Sequence, residues 1–399
     1  MKPRLSGPAA CAAVALVLLT GCSGSTGGGS EAPTAGARAS YDPPTAFDRA
    51  RGVALPPDAS ALRAVLDGPT AYLPAQGSLK AVDLTDGKVI GTVNAQHPAQ
   101  FFERPVIAEV GGARLAIISF SETIPGEGGG APRAAAELVA MDTATHQAAW
   151  SLPLDLPDGR FRDGKYVTLL GVRGTTAVVS VTDGADALLL AVDLPSRKVL
   201  WSRTGFVGAL LGDGQIVGAV EKDRATAERR VSAVNLGDGR DAWTEDGDGL
   251  ETTVRPAGPN TVLVQGKEKG SPKRFARLMD ASTGRRLLDL GEFPGICAYD
   301  GRSVTVCHDR DLVVAADPAT GNLLWKLPDD TGTRPAPTVT TAWHGLVYGR
   351  TNTGPVTLDA ATGAQRPGDP GIAPTAVSGY AGLAEDETRH VTMAHPATG

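Results

Sequence analysis

The stretch LLAVDLPSRKVLW, residues 189–201, holds the unit from which the rest of the chain is read. An apolar run leads into Asp193, five residues follow, and Val199, Leu200 and Trp201 resume an apolar strand. An Asp or Asn at the head of a turn can accept backbone N–H groups just beyond it. Short apolar runs on either side of such a turn read as a β-hairpin. The same unit recurs as LKAVDLTDGKVIG (79–91), LVAMDTATHQAAW (138–150), VSAVNLGDGRDAW (231–243), FARLMDASTGRRLL (275–288), LVVAADPATGNLLW (312–325) and GPVTLDAATGAQRP (354–367). Its anchor residues are Asp83, Asp142, Asp193, Asn235, Asp280, Asp317 and Asp359, separated by 59, 51, 42, 45, 37 and 42 residues. A degenerate eighth copy, VTMAHPATG (391–399), places His395 at the anchor.

The register inside the units is tighter than the gaps between them. Trp150, Trp201, Trp243 and Trp325 each stand eight residues after their anchor. Gly87, Gly239, Gly284, Gly321, Gly363 and Gly399 each stand four after it, where a reversing chain needs positive φ. Upstream of most units lie further β-like runs, such as 166–170 with 176–181 and 338–341 with 346–348. Three to four short strands in about 42 residues is the period of a propeller blade. The expected fold is all-β: a single β-propeller of four-stranded antiparallel blades.

The signature A-[VL]-D-x-x-[TS]-G-x-x-x-W resembles the pyrroloquinoline-quinone-type propeller repeat of quinoprotein alcohol dehydrogenases, of an outer-membrane assembly lipoprotein and of non-enzymatic bacterial surface proteins. The resemblance covers roughly residues 70–399 and implies that each Trp packs against the neighbouring blade. Departures are His146 and Arg197 at the turn Gly, and Gly91, Leu288 and Pro367 at the Trp. The final repeat stops before its outer strand, and residues 46–55 (AFDRARGVAL) can supply it, so eight blades are favoured over seven.

Composition agrees with that architecture. Among 399 residues, 50 Gly and 29 Pro demand frequent turns and disfavour long helices, while 42% hydrophobic content supplies a core. A net charge of −6 leaves no global basic field for nucleic acid.

The N-terminus carries an address. Lys2 and Arg4 precede an apolar run over 9–20, shorter than the roughly 20 residues of a spanning helix. It ends in Leu19-Thr20-Gly21-Cys22, which resembles the lipobox of bacterial lipoproteins. The resemblance implies cleavage after residue 21 and lipidation of Cys22. Residues 1–21 then form a signal peptide, 22–40 the lipidated Cys and a flexible Gly/Ser-rich tether, and 41–399 the propeller. Loss of Lys2 and Arg4 with the signal moves the net charge to −8, so lipid rather than electrostatics would hold the membrane.

Cys297 and Cys307 remain, in GICAYDGRSVTVCHD. A turn at 300–303 would set the two opposite each other, and outside the cytoplasm a close pair oxidises, so a disulfide is expected. Two free buried thiols or a metal site with His308 and Asp309 are the alternatives.

No catalytic, cofactor or metal residues are assigned. The chain has neither adjacent cysteines nor a Cys-x-x-Cys-His site, and no His-x-x-x-His pair. The acidic run 245–249 lacks the spacing of a Ca²⁺ loop, and the Gly triplet 128–130 lacks a following Lys-Ser/Thr. The charged loops 221–230 and 267–273 read as solvated faces. The expected function is a membrane-anchored extracytoplasmic lipoprotein, a non-catalytic binding, scaffold or sensor module for an unidentified protein or envelope polymer. An envelope assembly subunit and a quinone- and Ca²⁺-dependent oxidoreductase are the alternatives.

Overall fold

Eight antiparallel units of sheet follow one another along the chain in the computed structural model, which describes residues 39–399 except 126–131, 158, 162–164, 185, 224–227 and 246–248. Blades 1 to 8 occupy residues 65–94, 99–155, 166–204, 206–244, 249–291, 296–327, 338–366 and 376–396. Among the described residues there is no α-helix. The innermost strands are Val65–Asp67, Val106–Val110, Tyr166–Arg173, Phe206–Leu211, Gly249–Gly258, Ile296–Tyr299, Thr338–Trp343 and Ala376–Val377. Each touches the innermost strand of the blade before and after it, and the last touches the first. The blades therefore form one closed ring of eight around a central channel.

Closure runs through the N-terminal segment. Val53–Ala54 pairs antiparallel with the last strand, Val53 opposite Ala394 and Ala54 opposite Met393. Phe47 bridges to Ala397, and Thr398 N–H donates to the Ala46 carbonyl at 3.0 Å. This covers a sheet edge that would otherwise stay open.

The repeated hairpin joins strands three and four of each blade. Gly87 N–H donates to the Asp83 carbonyl at 2.9 Å, and Gly284 and Gly363 make the same bond to Asp280 and Asp359. The anchor carboxylate caps the turn: Asp280 Oδ1 accepts from the N–H groups of Ser282 at 2.8 Å and Thr283 at 2.9 Å. Asp142, Asp317 and Asp359 do likewise. These bonds hold the Asp280 and Asp359 carboxyls below the usual carboxylate range against the opposing effect of burial.

Three of the outer-strand tryptophans lie on the turn of the next blade. Trp201 Nε1 donates to the Leu236 carbonyl at 2.8 Å, Trp243 Nε1 to Ala281 at 3.1 Å and Trp325 Nε1 to Ala360 at 2.8 Å. The rings press on the turn glycines Gly239, Gly284 and Gly363, where a Cβ would meet the indole within 2.7 Å. Trp150 is half-buried against the apolar cluster shared by blades 2 and 3, which includes Leu138, Leu188 and Leu190. Comparable clusters fill the other gaps between blades, so hydrophobic burial holds the ring together along its whole circumference.

Two blades depart from the expected pattern. Blade 7 has three strands, its fourth reduced to a bridge between Leu358 and Gln365 and a bond from Arg366 N–H to the Thr357 carbonyl. Pro367, where other blades have Trp, lacks the N–H that would extend the pairing. In blade 2 the innermost strand breaks into Ala99–Phe102 and Val106–Val110 around Glu103, Arg104 and Pro105.

Candidate functional site

The break in blade 2 matters because of where it points. The central channel widens into a cavity of about 620 Å³, bounded by the innermost strands at the end where they turn into their second strands. Leu66, Ala298, Ala342 and Val377 supply apolar wall, Tyr299 and Trp343 supply aromatic wall. Trp343 stacks on the ring of His344, with centroids 3.8 Å apart. Among the described residues Arg104 is the one charged residue in the lining. Its Nε donates to the Ala64 carbonyl at 3.1 Å, and among the described residues it has no ion-pair partner. Its side chain is exposed to channel water, and desolvation by the protein around the channel lowers its pKa from the ordinary arginine value.

The chain enters the ring at the same end. Tyr41 N–H donates to the Gly379 carbonyl at 2.8 Å, and Tyr348 Oη donates to the Pro44 carbonyl at 2.6 Å. Asp42 accepts from Arg302 Nη2 at 2.6 Å and bonds to His344 Nδ1. The His344 bond, with Arg302 beside it, holds the Asp42 carboxyl below its usual range.

The disulfide adjoins this cavity. Cys297 and Cys307 stand directly opposite on the first two strands of blade 6 and are bonded. Cys297 lines the cavity and Cys307 is buried. Neither is a metal ligand or free thiol, which removes those alternatives.

A second polar cluster is buried in blade 2. Glu122 and Glu137 lie side by side, both essentially without solvent access. Glu122 accepts from His97 N–H at 3.1 Å and faces His97 Nδ1 at 3.3 Å; Lys165 Nζ donates to the Glu122 carbonyl at 2.8 Å. Glu137 accepts from Gln96 N–H at 2.9 Å and from Ser151 Oγ. Burial and the neighbouring Glu137 push the Glu122 carboxyl up to about 7. Both carboxyl side chains are buried within the blade.

The repeat anchors take no part in either cluster; they cap turns. Cys22 and the tether up to residue 38 lie outside the described residues, as do the Gly triplet 128–130, residues 224–227 of one charged loop and 246–248 of the acidic run. Glu245 of that run is clamped by Arg277 Nη2 at 2.6 Å to both carboxylate oxygens and by Arg286 Nη2 at 3.0 Å. Lys222 and Lys269 reach the buried Glu228, the latter at 3.1 Å, so the two charged loops brace blades 4 and 5. Sequence reasoning missed Arg104, Tyr299 and Trp343 because the innermost strands carry no repeat motif. Trp343, the one tryptophan out of register with the anchors, was the available signal.

No protein-family model matches the chain, and no curated protein matches it in sequence. Among solved structures, the chain is similar to a computationally designed protein, Ika8, at 14% identity and a TM-score of 0.50, covering 90% of this chain and 96% of that one. It is similar also to the Dos1 propeller, at 11% identity and 0.48 over 82% and 74% of the two chains. A third is the quinohemoprotein alcohol dehydrogenase of Comamonas testosteroni, at 11% and 0.46 over 87% and 70%. At such identities a likeness concerns the fold alone.

The quinone and Ca²⁺ of such dehydrogenases can be tested against the channel's own donors. Among the described residues its lining offers one cation and no carboxylate. Among the described residues no three His, Cys, Asp or Glu side chains are grouped to hold a metal. These residues do not fit a tricarboxylate quinone bound with Ca²⁺.

Proposed function

We propose that the chain is a lipid-anchored, extracytoplasmic propeller that binds a protein or envelope polymer and catalyses no reaction. The observation that carries the binding reading is the channel lining: aromatic and apolar walls with, among the described residues, one cation and no nucleophile paired with a base. The Cys297–Cys307 disulfide supports an oxidising compartment, and Cys22 in its lipobox context supports the anchor.

Crosslinking on intact cells followed by mass spectrometry tests this reading. A reproducible extracytoplasmic partner, lost when unlabelled purified propeller competes, is expected. Saturable dye reduction by the purified protein after addition of quinone and Ca²⁺ would overturn it in favour of an oxidoreductase.

A further inference from the structure

We propose that the central channel is a binding site for a small amphipathic anion, an aromatic or branched apolar body bearing one carboxylate or sulfonate-like group, with Arg104 as its counter-ion. The proposal stands on the channel alone and does not depend on the membrane anchor.

Charge is the first argument. Arg104 is exposed to channel water, so the N–H donors it does not spend on protein are hydrated and open to an incoming anion, for which a planar guanidinium is well shaped. Arg104 commits its Nε to the Ala64 carbonyl, which fixes the plane of the group and leaves the Nη edge to the channel. Acids on the flanking elements are engaged elsewhere. Glu103 is paired with Arg63, and Asp67 with Arg114 at 2.9 Å. Asp300, at the turn after Tyr299, accepts the N–H groups of Arg302, Ser303, Val304 and Gly345 at 2.8–3.0 Å. An incoming anion can therefore replace water on the Arg104 Nη edge, and among the described residues no carboxylate in the lining repels it.

Shape and surface are the second argument. About 620 Å³ lies within the range of small-molecule sites and suits a body of two fused or linked rings. Tyr299 and Trp343 offer faces for stacking, and the ring of His344 behind Trp343 holds the indole in place. The break at Glu103, Arg104 and Pro105 is a local feature of blade 2. Pro105 cannot donate to the ladder, so the strand opens there and Arg104 is released into the channel.

The test is a pair of fluorescent probes with the same aromatic body, 1-anilinonaphthalene-8-sulfonate and the uncharged N-phenyl-1-naphthylamine. They are titrated into the full chain carrying Cys22→Ala, and into the same chain with Arg104→Met or Arg104→Lys. The sulfonate should bind at one saturable site, and Arg104→Met should weaken it at least tenfold while the uncharged probe changes less than twofold. Arg104→Lys, which keeps charge and fold but not the planar fork, should fall between. Absence of saturable sulfonate binding, equal sulfonate affinity in Arg104→Met, or equal weakening of both probes in Arg104→Lys would each overturn the proposal.

Discussion

Gly91 and His146 have exchanged the sizes that their positions carry elsewhere in the ring. Where other outer strands place a Trp, blade 1 has Gly91; where other turns place a Gly, blade 2 has His146, with φ of 56°. A Cβ on Gly91 would lie 2.3 Å from the His146 carbonyl oxygen and 2.7 Å from its Cβ. The contact between blades is kept, with the bulk supplied from the other side. Gly91→Ala should therefore destabilise by about 1–3 kcal/mol through overpacking. Gly237→Ala, with open space at its Cβ, should stay within about 0.5 kcal/mol of wild type. Urea unfolding of both variants checks the contrast.

The indole of Trp325 does two things at the next blade: it covers Gly363 and donates to the Ala360 carbonyl. Trp325→Phe keeps most of the cover and loses the bond, and should cost about 1 kcal/mol. Trp325→Ala loses both and should cost about 3 kcal/mol. Equal losses would mean that the ring contact contributes nothing.

The buried Glu122 gives stability a pH dependence of defined sign. Its carboxyl titrates near 4.5 ordinarily and near 7 in the fold, beside Glu137, His97 and Lys165. Between those values the unfolded chain holds fewer protons than the folded one, so this group's contribution falls as pH rises and is lost above about 7. Glu122→Gln removes the titration. Relative to wild type it should gain on the order of 1–3 kcal/mol between pH 5 and pH 8, read as a difference in urea midpoints. A constant difference across that range would contradict the assignment.

The fold was legible because each blade repeats a local solution. The anchor Asp, the turn Gly and the outer Trp all act within one hairpin or on the adjoining turn, so a fixed spacing in sequence mirrors a fixed contact in space. The expected partner of the last strand lay within residues 46–55, and Val53–Ala54 pairs with it there. The channel was not legible for the opposite reason. Its wall joins residues from several blades, such as Leu66, Ala298 and Val377, that share no motif and meet only when the ring closes. Arg104 owes its position to a strand break in one blade, and the Glu122–Glu137 pair spans adjacent strands of irregular length. The weak fourth strand of blade 7 was signalled by Pro367, yet the repeat pattern alone favoured a complete blade.

Fate of Cys22 is the most direct measurement of the functional account. Cells expressing the full chain are fed an alkyne fatty acid, and the protein is followed by click labelling and fractionation. Wild type should carry the label and sediment with membranes, and Cys22→Ala should be unlabelled and released in soluble form. Unlabelled wild type, or Cys22→Ala retained on the membrane, would contradict a lipid-anchored propeller.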